Sequence, residues 1–175
     1  MKWPNKTDRE NFEIAGFIEA YARLPESRQF EIVSKSERPD YLVKDKKSGQ
    51  LYGIELTAVY HNDRSVPDVH MKEHNGVVDI PDDQVEIEKY TERLISAVIE
   101  KVGKARKWYD SKHPVILAIY VNEYIAIYLT KSEFEEIARQ HKDVFDAVEP
   151  FMEVVFWNLV NGGVFRVRPS VSTGA

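Results

Sequence analysis

The chain has 175 residues, a formal net charge of −5 and no cysteine. That length suits one domain with its own core, and the missing thiols exclude disulfides and thiolate metal sites, as expected of a cytoplasmic protein. The surplus of acid excludes a chain that holds nucleic acid by overall charge alone. The longest apolar runs, such as PVILAIYV, are strand-sized, so no membrane span is expected, and the polar start MKWPNKTDRE lacks the apolar core of a signal peptide.

In chain order, Thr7 and Glu10 form a T-x-x-E capping pair that predicts a helix start. Ile14, Phe17, Ile18, Tyr21 and Leu24 then recur at helical spacing up to Pro25. FEIVSKS and YLVKD read as strands, and the polar turn KKSGQ joins the second to a third, LYGIELTAVY, as a hairpin. In that third strand Tyr52, Ile54, Leu56, Ala58 and Tyr60 share one face, while Gly53, Glu55 and Thr57 share the other.

Residues 61–83 are rich in His, Asn, Asp, Pro and Gly and read as a long irregular insertion. A helix is predicted from about Gln84 to Tyr109, with an apolar stripe of Leu94, Val98, Val102, Ala105 and Trp108. VILAIYV reads as a central strand buried on both faces. The helix KSEFEEIARQHKDVFDAV and a closing strand pair, EVVFWNL and GVFRVRP, complete the chain; YIAIYL is compatible with strand or helix. The pattern is a single α/β domain, residues 1–175, with a mixed sheet flanked by helices.

Glu55 raises the chemical question, because a carboxylate in an otherwise buried strand needs a partner, solvent or a cation. Asp40 opens the preceding strand, and two carboxylates on neighbouring strands suit Mg²⁺, which takes one or two protein carboxylates beside waters and phosphate oxygens. RPDYLV and GIELT, set on this strand–turn–strand unit, resemble the PD-(D/E)XK nuclease superfamily. The resemblance implies a restriction-endonuclease-like α-β-β-β-α-β core, here followed by an α-β-β extension. It also implies metal-dependent hydrolysis of phosphodiester bonds in nucleic acid, DNA above all, with Mg²⁺ or Mn²⁺ held by Asp40 and Glu55. A homodimer or a protein partner is compatible with it.

Thr57 stands where the superfamily's lysine is expected, and in some branches that lysine comes from the following helix. Lys101 lies on the centre line of the apolar stripe of that helix and Lys104 at its edge, so both are candidates. The first helix often adds an acidic residue in this superfamily, which makes Glu13 a third metal-ligand candidate. Two rival functions remain. One is a catalytically inactive interaction protein on the same fold. The other is a zinc metallopeptidase using His70, Glu73 and His74 of HMKEH, a literal H-x-x-E-H within the insertion.

Overall fold

The computed structural model describes residues 6–60, 84–109, 112–121 and 123–170. The predicted 61–83 insertion, with His61, His70, His74 and the H-x-x-E-H motif, lies outside the described residues.

Helix α1 (Lys6–Tyr21) buries Ile14, Phe17 and Tyr21, the predicted stripe. Its first residue is Lys6, so Thr7 falls inside the first turn instead of ahead of it. Three strands follow, β1 (Phe30–Lys35), β2 (Tyr41–Asp45) and β3 (Leu51–Val59). The β2–β3 turn is fastened by the Asp45 carboxylate, which accepts from the Ser48 hydroxyl at 2.6 Å and the Ser48 backbone N–H at 3.2 Å. This local capture explains why KKSGQ turns where it does.

Helix α2 (Gln84–Trp108) leads to β4 (Val115–Val121), every residue of which is buried. A 3₁₀ turn (Tyr124–Tyr128) resolves the ambiguity of YIAIYL. The next predicted helix is two, α3 (Lys131–Gln140) and α4 (Lys142–Asp146), broken at His141. Strands β5 (Phe151–Asn158) and β6 (Val164–Val167) close the fold.

The six strands lie in sequence order across one mixed sheet. β1, β2 and β3 are antiparallel, β3–β4 and β4–β5 parallel, and β5–β6 antiparallel. Each parallel pair needs a crossover; α2 supplies the first, and the 3₁₀ turn with α3 and α4 the second.

The sheet divides the core. One cluster joins Ile14, Phe17 and Tyr21 of α1 to Tyr52, Ile54, Ile116 and Trp157. The other joins Leu94, Val98 and Val102 of α2 to Leu117, Ile119, Val154 and Phe156. These are the α1 face and the α2 face. Among the described residues no helix is long and apolar enough to cross a membrane.

Candidate active site

The β2–β3 hairpin and the helix that follows it deliver Asp40, Glu55 and Lys101 to one place. Their positions follow from packing around Gly53. A Cβ there would lie 2.4 Å from Cγ of Pro39, so the absent side chain lets the Pro39 ring rest on β3. Asp40, the next residue, then accepts the Leu56 backbone N–H through Oδ2 at 2.8 Å. That bond ties the start of β2 to the middle of β3, one residue beyond Glu55.

Glu55 points to the α2 face and is only 5% exposed. Its Oε1 accepts from Lys101 Nζ at 2.6 Å, and its Oε2 accepts from the Tyr109 hydroxyl. A lysine on the centre line of a buried stripe therefore has its explanation: the stem crosses apolar surface and the ammonium ends on a buried carboxylate. Lys101, Ala105 and Tyr109 are spaced four residues apart along one helix line, which carries both Glu55 donors to the same side.

The electrostatics single out Asp40. Burial first, and the neighbouring Glu55 charge second, push its carboxyl up to about 6, although the Leu56 N–H and Lys101 oppose the shift. Tyr109 is also pushed up, by burial first and then by its bond to the Glu55 carboxylate, so its hydroxyl stays protonated and donating. Two carboxylates share one partly buried space, with one ammonium bonded to Glu55 and near enough to act on Asp40.

The other candidates are placed differently. Lys104 is paired with Glu100 on the exposed side of α2 and is not brought to the carboxylates. Glu13 lies on α1 with Arg9 Nε 4.0 Å away, and burial raises its carboxyl from the usual range. Among the described residues no three His, Cys, Asp or Glu side chains form a metal-holding group, so Glu13 does not join Asp40 and Glu55 in one. Glu10 ion-pairs with Lys35 of β1 and adds to the negative field at Asp40. The Thr57 hydroxyl is buried and has no hydrogen-bond partner among the described residues.

That orphaned oxygen bears on whether a divalent ion suits the site. Asp40, Glu55 and Thr57 offer oxygen donors alone, the chemistry Mg²⁺ prefers. A cation beside Asp40 would also relieve the like-charge strain that raises its carboxyl. The donor set fits a hard divalent ion completed by water or phosphate.

Two features escaped the sequence reading. Tyr109 was legible as the third member of the Lys101, Ala105, Tyr109 line. Trp108, assigned to the buried stripe, is instead 54% exposed; the Arg38 guanidinium lies 5.5 Å and the Lys107 ammonium 4.6 Å from its ring centroid. Helix α2 ends at Trp108, and it is the next residue, Tyr109, that turns to Glu55 and Phe151, which leaves Trp108 exposed.

No family model, curated protein or solved structure matches the chain, and its function is therefore read from the site.

Proposed function

We propose that the chain is a metal-dependent nuclease of the PD-(D/E)XK kind that hydrolyses phosphodiester bonds of nucleic acid, DNA above all. The observation that carries this reading is the meeting of Asp40, Glu55 and Lys101, with the lysine arriving from the crossover helix. The order α1-β1-β2-β3-α2-β4 agrees with the core of that superfamily and supports a restriction-endonuclease-like core extended by α3, α4, β5 and β6.

Asp40 and Glu55 would hold Mg²⁺ or Mn²⁺, with the Thr57 hydroxyl a further oxygen on the same face of β3 as Glu55. When bound, such an ion supplies Lewis acidity toward a phosphoryl oxygen and a water of lowered pKa. The chain's own groups do the rest. Lys101 and Tyr109 fix the orientation of Glu55, as outer partners of a metal ligand do. One N–H of the Lys101 ammonium is given to Glu55, and the remaining two are donors for an attacking water or a phosphate oxygen. The Leu56–Asp40 bond keeps the two carboxylates on neighbouring strands in fixed register.

A second reading has its own support. Both oxygens of Glu55 already accept from protein donors, as they would in a structural tie within an inactive interaction protein on this fold.

The two readings separate in one experiment. Labelled DNA and RNA are incubated with the full chain and Mg²⁺, Mn²⁺ or EDTA, beside Asp40→Asn and Glu55→Gln. The nuclease reading expects cleavage that needs the divalent ion and falls by about 10²–10³-fold or more in each variant. Absence of cleavage, together with a melting temperature unmoved by either ion, favours the structural tie.

A further inference from the structure

We infer that Trp108, Arg38 and Lys107 form a docking surface for single-stranded nucleic acid at the mouth of the Asp40–Glu55 site. The inference rests on the nuclease reading for the class of ligand and goes beyond it in naming the form that ligand takes.

The surface is joined to the site at both ends. Arg38 lies two residues before Asp40, and Trp108 immediately precedes Tyr109, whose hydroxyl donates to Glu55. An indole more than half exposed leaves a large apolar plane in water, and such planes mark interaction surfaces when polar groups rim them. Here the Arg38 guanidinium and the Lys107 ammonium lie over the ring itself.

The charges around Trp108 differ in one respect that decides the ligand. Lys101 is committed to Glu55 and Lys104 to Glu100, while Arg106 donates to the backbone carbonyls of Ala147 and Glu149 at 2.6 and 3.0 Å. Arg38 and Lys107 are exposed and have no carboxylate partner among the described residues. Two cations with no carboxylate partner, lying over an indole that is still more than half exposed, suit a chain of phosphates carrying free bases. The cations neutralise phosphates with release of counterions, and the indole stacks a base whatever its identity.

Duplex geometry does not suit this surface. Bases inside a duplex are covered above and below by their neighbours, so an exposed indole face can meet only an unstacked base. The segment Lys101–Trp108 contains four cations and no Asp or Glu, which makes this end of α2 locally basic on a chain that is acidic as a whole.

The test uses the full chain in EDTA with Trp3→Phe in every protein, so that Trp108 reports beside the buried Trp157. The anisotropy of a labelled oligothymidylate and of a labelled blunt duplex is titrated with each protein, and indole quenching is followed alongside wherever Trp108 is present. Saturable quenching by the single strand, tighter than for the duplex, is expected. Trp108→Ala should weaken single-strand binding about 5- to 100-fold, with Trp108→Phe retaining most of the affinity. Arg38→Gln and Lys107→Gln should each flatten the salt dependence by a slope of about 0.7.

Equal affinity in Trp108→Ala, a preference for duplex, or no binding of either form overturns the inference. Cleavage that is indifferent to Trp108 would sink this surface and leave the nuclease standing. Trp108-dependent binding without cleavage would do the reverse.

Discussion

Two buried carboxylates, Glu55 and Glu153, sit at nearly the same level of the sheet on opposite faces. Glu55 faces Leu117 across β4 and Leu117 faces Val154, while Ile54, Ile116 and Glu153 form the adjacent row. Each is met by a tyrosine hydroxyl and by cations. Glu153, fully buried on the α1 face, accepts from the Tyr21 hydroxyl at 2.5 Å and from Arg168 Nε at 3.1 Å, with Arg166 Nε at 3.9 Å. Burial first, and the bond to Glu153 second, push Tyr21 up to about 12.

The difference lies in what surrounds each pair. Glu153 has two guanidiniums about it, each held further out: Arg166 donates to the Pro25 carbonyl through Nη2 at 2.6 Å while its buried Nη1 has no partner among the described residues, and Arg168 approaches Glu26 at 3.8 Å. Glu55 has one lysine and a second carboxylate, Asp40, which its charge strains. A tie is over-supplied with opposite charge; a cation site is under-supplied. By that criterion the α1 face holds a strut, and the α2 face suits the cation site proposed above.

The comparison breaks most violently at Glu153. Glu153→Ala strands the largely buried Arg166 guanidinium and takes a partner from the half-exposed Arg168, and loss of one member of a buried ion pair costs about 3–5 kcal/mol. Denaturant unfolding measures it. No divalent ion should recover the loss. Lys101→Met should cost less, about 1.5–3 kcal/mol, since Glu55 keeps its Tyr109 bond and Lys101 is partly exposed. Here an added divalent ion should recover part of the loss through binding to the folded state. A recovery at Glu153, or none at Lys101, would undo the assignment of strut and site.

The sequence signal of these two acids is the same, a lone carboxylate in an apolar strand, yet only Glu55 drew a functional reading. GIELT stood near a Pro-Asp pair, whereas the partners of Glu153 are scattered: Tyr21 lies 132 residues away, and the arginines lie on β6 and just past it. Short-range patterning carried a great deal. Alternation placed Glu55 and Thr57 on one face, and the stripe of α2 placed Lys101 toward it. What patterning could not convey is which acid has a second acid for a neighbour. It also failed at element ends. Trp108 keeps helical phase, yet Tyr109 one residue on is the side chain that packs against Glu55 and Phe151, and the break between α3 and α4 is a change at one residue, His141, that leaves periodicity intact. The H-x-x-E-H alternative stays where the sequence left it, since its residues lie outside those described.

Asp40 sharpens the comparison through pH. Its folded carboxyl is raised from 3.8 to about 6. In metal-free protein the folded state therefore holds a proton between about pH 4 and 6 that the unfolded chain has released, and stability falls as pH rises through that window. The penalty is complete above it. Asp40→Asn keeps an oxygen for the Leu56 N–H and removes the charge. In EDTA at neutral pH it should be more stable than wild type by about 1–2 kcal/mol, a figure reduced for the partial exposure of Asp40. The advantage should vanish as pH falls through 6 toward 4. Parallel urea titrations at several pH values read this directly, and an advantage that persisted at low pH would exclude charge as its cause.

The smallest effect belongs to Thr57, and it asks whether the under-supplied side of the molecule is kept that way. A buried hydroxyl without a partner carries a desolvation cost that valine, of similar shape, does not. Thr57→Val should therefore leave metal-free stability unchanged or raise it by up to about 1 kcal/mol. The same substitution should weaken the rise in melting temperature that Mg²⁺ or Mn²⁺ gives the wild type, because it removes an oxygen from the shared face. A strut loses stability when its polar atoms are removed, and a site loses its ligand. Thr57→Val separates the two outcomes within one side chain, and a fall in metal-free stability with an undiminished response to the ion would move Thr57 to the structural side of the comparison.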